Sequence, residues 1–136
     1  MKIALLATVL LLTACTRPVE EWLVGQWEME RIVEAVTEVG TGVVSRDTLM
    51  TDNYTRRLEF LGNATCLMTE RDETTLYQWS VTDGNILDLW RDGWAEDYII
   101  KVLNDRRLVY ADSYDYYDSI RQVRYEYMYR YEYKRL

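Results

Sequence analysis

Histidine is absent from this chain. That removes the commonest general base and the commonest metal ligand, and it excludes Ser-His and Cys-His nucleophile pairs. Cysteine is nearly absent, with only Cys15 and Cys66. Long apolar runs are lacking too. Ile3 to Leu12 is well short of the ~20 apolar residues a spanning helix needs, and Arg17 and Glu20 follow it closely. Basic residues are outnumbered, 16 against 23 acidic, for a net charge of −7. Such a balance is unsuited to nucleic acid or to anionic lipid headgroups. No nucleophile elbow, phosphate loop or metal-ligand motif is present, so the chain reads as a binding protein without a cofactor, not as an enzyme.

What is there begins at the N-terminus. Lys2 supplies a positive start, Ile3–Leu12 an apolar stretch of signal-peptide length, and Leu12-Thr13-Ala14-Cys15 closes it. These residues resemble the lipobox of bacterial lipoproteins. The resemblance implies a signal peptide over residues 1–14 and a diacylglycerol on Cys15, with anchoring at the outer membrane. Residues 15–21 are then the lipidated N-terminus and a short linker, and 22–136 form one domain of 115 residues. Loss of Lys2 with the leader makes the mature charge −8. With Cys15 acylated, Cys66 has no disulfide partner in the chain. It reads as a small core residue on an alternating segment.

The domain alternates apolar and polar residues at period two, the signature of half-buried strands. Eight strands are expected: 26–36, 55–61, 64–69, 76–81, 86–90, 97–103, 107–111 and 123–134. In the first, Trp27, Met29 and Val33 share one face and Glu28, Glu30 and Glu34 the other, with Arg31 breaking the pattern as a bulge would. In the last, six aromatic or apolar residues from Val123 to Tyr133 alternate with Arg124, Glu126, Met128, Arg130, Glu132 and Lys134. Pro18 to Val24 has room for one helical turn. Eight short strands in series point to an all-β, up-and-down antiparallel barrel, which closes its own edges. A two-sheet sandwich is the alternative.

The connections divide into two kinds. Gly62-Asn63, Asp83-Gly84 and Asn104-Asp105 are tight turns that pinch one end. Residues 37–54, 70–75, 91–96 and 112–120 read as longer loops at the other. With Asp97 at their margin, those loops carry twelve carboxylates against Arg46, Arg71 and Arg91, together with Trp94, Tyr114, Tyr116 and Tyr117.

Leu23-Val24-Gly25-Gln26-Trp27 resembles the Gly-x-Trp start of the first lipocalin strand. Leu58–Asn63, Tyr77–Val81 and Tyr98–Leu103 resemble later strands of small lipocalin-like lipoproteins from Gram-negative gut bacteria. The resemblance implies that Trp27 plugs the closed end and that a ligand enters at the loop end. No helix follows the last strand, and the family's second motif is absent from the turn at Asn104-Asp105-Arg106.

Candidate binding residues are therefore Trp94, Asp112, Tyr114, Asp115, Tyr116, Tyr117 and Asp118. Aspartates 112, 115 and 118 have spacing that a calcium loop could use, but the loop glycine and terminal glutamate are missing. Aromatic rings beside acids suit a sugar or another small neutral or cationic ligand. If the strand-eight tyrosines fill the barrel instead of lining a cavity, the protein is a protein-interaction or assembly subunit, and its partner an envelope protein. Asp47-Thr48-Leu49 and Asp118-Ser119-Ile120 also match a three-residue O-glycosylation signal of gut Gram-negatives. Cys15→Ser is expected to abolish incorporation of labelled fatty acid and to shift the chain out of the membrane fraction. Retained label would refute the anchor.

Overall fold

The computed structural model describes residues 17–49 and 54–136. A short helix, α1 (Val19–Leu23), precedes nine strands: β1 (Gly25–Glu38), β2 (Val44–Thr48), β3 (Arg56–Phe60), β4 (Thr65–Glu70) and β5 (Glu73–Thr82), then β6 (Ile86–Arg91), β7 (Trp94–Leu103), β8 (Arg107–Asp118) and β9 (Val123–Arg135). The strands pair antiparallel in the order β2-β1-β3-β4-β5-β6-β7-β8-β9, and β1 also pairs with β9. Strands β1 and β3 to β9 thus close the eight-stranded up-and-down barrel that the alternation predicts, and the sandwich does not form. Among the described residues, α1 is the only helix. The lipobox and Cys15 lie outside the described residues.

Three expectations about the connections are corrected. The segment 37–54 is not all loop, because it contains β2. Residues 112–118 are strand, not loop, since β8 runs on to Asp118 in register with β9. The connections after β4 and β6 are not long. Each is a two-residue turn, Arg71-Asp72 (φ 48° and 67°) and Asp92-Gly93 (φ 21° and 80°). Left-handed pairs of this kind match the twist of the strands they join.

The closed end is built around Trp27. It is fully buried, and its indole N–H donates to the Leu23 carbonyl of α1 at 2.9 Å. The Arg135 guanidinium crosses the ring at 4.2 Å from its centroid and donates to the carbonyls of Trp22 and Val24. Gly25 has φ +138°, and a Cβ there would lie 2.5 Å from Arg135 Nη1. The missing side chain is what lets Arg135 lie across the tryptophan. Phe60 and Trp79 stack edge-on at 5.5 Å nearby, and Leu23, Leu58, Leu87 and Cys66 complete this layer of the core. Burial pushes the Cys66 thiol up to about 12, so it stays protonated and inert. Trp27→Ala should destabilise the fold by about 3–5 kcal/mol, read as a lower urea midpoint at unchanged slope. A midpoint close to that of the parent would show that the ring does not hold this end together.

Candidate functional site

At the other end, three strands outlast the barrel. β3 pairs with β1 only over Gly25–Glu28, and β7 pairs with β8 only over Leu108–Ala111. The β1–β9 pairing continues to Glu38 and Tyr125, and β8–β9 to Asp118 and Val123. β2 adds to β1 over Val33–Thr37. The result is a four-stranded sheet, β2-β1-β9-β8, projecting above the barrel rim. It is the first half of β9 that projects, while its last residues lie in the barrel.

One face of this sheet continues the barrel interior, and its rows follow from the register. Ile32, Tyr131 and Tyr110 sit at the rim. The next row is Asp47, Glu34, Tyr129 and Asp112, and above it come Ser45, Val36, Tyr127 and Tyr114. Glu38, Tyr125 and Tyr116 form the top row. Tyr114 stacks on Tyr127 at 4.9 Å between ring centroids and lies 5.9 Å from Tyr129, with the Tyr114 and Tyr129 hydroxyls 3.2 Å apart. The inner face is therefore a wall of tyrosine crossed by a row of carboxylates.

The alternation alone places Glu34 on the outer side with Glu28 and Glu30. A register shift between Met29 and Arg31 turns it inward. A bulge adds one residue to one strand, so every side chain beyond it changes face.

Below the wall, Asp112 faces Glu96 at the barrel mouth. Burial, then the charge of Glu96, raises the Asp112 carboxyl above its usual range, and its Oδ1 is enclosed without a hydrogen-bond partner. Tyr98 donates its hydroxyl proton to Glu96. Beyond them are two adjoining hollows. One of about 140 Å³ is lined by Met68, Glu70, Glu73, Thr75, Tyr77 and Arg91. The other, about 210 Å³, is lined by Tyr77, Leu89, Arg91, Trp94 and Glu96. The mouth has a floor. Arg56 Nε lies 2.8 Å from Glu70, and its guanidinium sits 5.6–5.7 Å from the ring centroids of Tyr131 and Tyr54. Arg56 also donates to the Tyr133 hydroxyl at 3.4 Å.

The sequence-derived candidates do not form one constellation. Trp94 opens β7 with its ring two-thirds exposed beside the larger hollow. Asp112, Tyr114 and Tyr116 line the inner face. Asp115 and Tyr117 point to the outer face, because neighbours on a strand alternate. Asp118 caps the β8–β9 turn by accepting the amides of Ile120 and Arg121 at 3.0 and 3.1 Å. The three aspartates therefore make no calcium loop, and among the described residues no group of three or more acidic or cysteine side chains is placed to hold a metal. Of the two O-glycosylation matches, Ser119 is in a turn but Thr48 ends β2. The alternating pattern already contained Tyr127 and Tyr129. Arg56 gave no signal, as a lone arginine flanking a strand is common on surfaces.

No family model, curated protein or solved structure matches this chain. The raised carboxyl of Asp112 binds its proton more tightly in the folded state. Folding is therefore favoured while the group is protonated, and that contribution is lost as pH rises from the usual carboxylate pKa through the raised pKa of the folded state. Asp112→Asn should raise the urea midpoint at pH 7 by a small margin, under about 1 kcal/mol after screening, and leave it unchanged at pH 3. Equal shifts at both pH values would remove this account.

Proposed function

We propose that this protein is a lipid-anchored outer-membrane lipoprotein of lipocalin-like fold, and that its barrel is a filled scaffold, not a container. Its working surface is the inner face of the projecting sheet, where it receives a cationic group carried by an envelope partner. The lipobox-like N-terminus supports the anchor, and the Gly-x-Trp packing at the closed end supports the lipocalin-like reading.

One observation carries the binding assignment. Asp47, Glu34 and Asp112 lie in one row across the sheet, among tyrosine rings, and none has an ion-pair partner among the described residues. Carboxylates attract a cation, and the faces of aromatic rings add to that attraction. An anionic ligand would approach against the field. The filled interior argues against a deeply enclosed ligand, because each mouth hollow alone is smaller than usual small-molecule sites of about 300–1,000 Å³ and the two together reach only the lower end of that range. The exposed ring of Trp94 beside the larger hollow favours a second reading, a neutral sugar stacked there.

Spermidine, methyl glucoside and laurate are suitable probes, titrated against intrinsic fluorescence. Spermidine should bind, and more weakly as salt is raised. The combined Glu34→Gln, Asp47→Asn, Asp112→Asn variant should lose at least about tenfold in affinity, or ~1.4 kcal/mol. Neutralising Glu20, Glu30 and Glu59 instead should change little. Laurate binding that survives the triple substitution would overturn the proposal.

A further inference from the structure

The barrel wall is open between two strands. β7 and β8 are paired from Leu103/Leu108 up to Ile99/Ala111 and no further. Above that level Trp94–Tyr98 of β7 pair only with β6, and Asp112–Asp118 of β8 pair only with β9. Two strand edges therefore border one gap with no backbone partner across it among the described residues. On the β8 side the edge is seven residues long, about 24 Å of strand, and its Tyr114, Tyr116 and Tyr117 are half exposed. An unpaired edge of this length is a template for another strand.

The charges at the gap say what kind of strand fits. On the outer face Asp97 borders one side and Asp115 the other. Each is doubled by a carboxylate directly across its own hairpin, Asp88 opposite Asp97 and Glu126 opposite Asp115. Like charges directly opposite on paired strands are destabilising. On the inner face Glu96 and Asp112 border the same gap. None of Glu96, Asp97, Asp112 and Asp115 forms an ion pair among the described residues. A second copy is a poor occupant in the symmetric arrangement. Pairing two β8 edges about a two-fold axis at Asp115 would set aspartate against aspartate.

We propose that the gap between β7 and β8 is a docking slot for an extended, lysine- or arginine-bearing segment of a partner protein, which adds as a strand to the Asp112–Asp118 edge. This rests on the cationic-partner reading above and gives the partner a form. Backbone hydrogen bonds to the β8 edge supply attachment. Basic side chains on the outer side of the incoming strand fall between Asp97 and Asp115, and those on its inner side between Glu96 and Asp112.

The test uses the full chain in detergent and three probes. They are an eight-residue peptide alternating lysine and threonine, the same peptide N-methylated at every second amide, and spermidine. The unmethylated peptide should bind and slow hydrogen exchange at the amides of residues 112–118. Methylation keeps the charge and removes donors, and should weaken binding at least tenfold. The Asp97→Lys, Asp115→Lys variant, with its melting profile checked, should also lose at least tenfold. Equal binding of the methylated peptide, or no added protection in β8, rejects strand addition. Spermidine binding in that case leaves the cationic-partner reading standing, whereas failure of all three probes rejects both. Self-association that protects residues 112–118 without peptide would assign the slot to a second copy and overturn the proposal.

Discussion

The seam between β1 and β9 is the constraint from which the rest of the architecture follows. Eleven residue pairs join these strands, from Trp27/Arg135 to Glu38/Tyr125. Only the lower part of that seam is needed to close the barrel, because β3 covers the other edge of β1 for just four residues, Gly25–Glu28. The remainder must find another partner or stand as an open edge. β2 takes that position over Val33–Thr37. Extending the seam therefore creates the projecting sheet, and it leaves the upper half of β8 paired with β9 on one edge and with no described strand on the other. The closed barrel abolishes edges below, and the long seam reintroduces them above, at the acidic, tyrosine-rich end.

Filling of the interior follows from side-chain size. An eight-stranded barrel is just wide enough for its own side chains, and this one points Tyr98, Tyr110, Tyr131 and Tyr133 inward. Tyr110 lies 4.5 Å from Tyr98 and 5.3 Å from both Tyr131 and Tyr133 between ring centroids. Buried hydroxyls need partners. The Tyr110 and Tyr133 hydroxyls lie 2.7 Å apart, and Arg56 reaches Tyr133 from above. Arg56 in turn needs Glu70. The floor of the mouth is thus fixed by the polar requirements of the tyrosines that fill the core.

Much of the barrel was legible because alternation is strong where one face is buried and the other is not. Asp83-Gly84 marked a hairpin, and both residues have positive φ. Two strands of the projecting sheet, β1 and β9, were legible from their alternation, but β2 and the upper half of β8 were not, for a physical reason. Those two segments are exposed on both faces, so they lack the apolar alternation that identifies a strand. Asp112-Ser-Tyr-Asp-Tyr-Tyr-Asp118 reads as a loop because aspartate and serine are common in turns. It is held as strand by its register with β9, which no local propensity reveals. β2, exposed at all five residues, was hidden for the same reason. The inner-face carboxylates were seen in part. Asp112, Asp47 and Glu96 stand among the acids of the open end, while simple alternation puts Glu34 on the opposite face because one bulge inverts everything after it.

The same bulge explains where the positive charge went. Past Met29 the outer face of the seam receives Arg31, which meets Glu132 together with Arg107 and Arg130. Glu132 is the one buried charged residue among those described, 4% exposed, and one carboxylate there engages three arginines. Glu28 engages Arg57 and Lys134 in the same way on the neighbouring strands. Burying a carboxylate without cations is costly, so the outer wall of the seam draws on a supply of basic residues that is already the smaller one. The inner face of the projecting sheet then carries Glu34, Asp47 and Asp112, none of which forms an ion pair among the described residues. An overall charge of −7 is therefore a poor description of this molecule. Its outer seam is arginine-rich and internally paired, whereas Glu34, Asp47 and Asp112 on the inner face form no ion pair among the described residues, so the uncompensated negative charge is concentrated toward the open end.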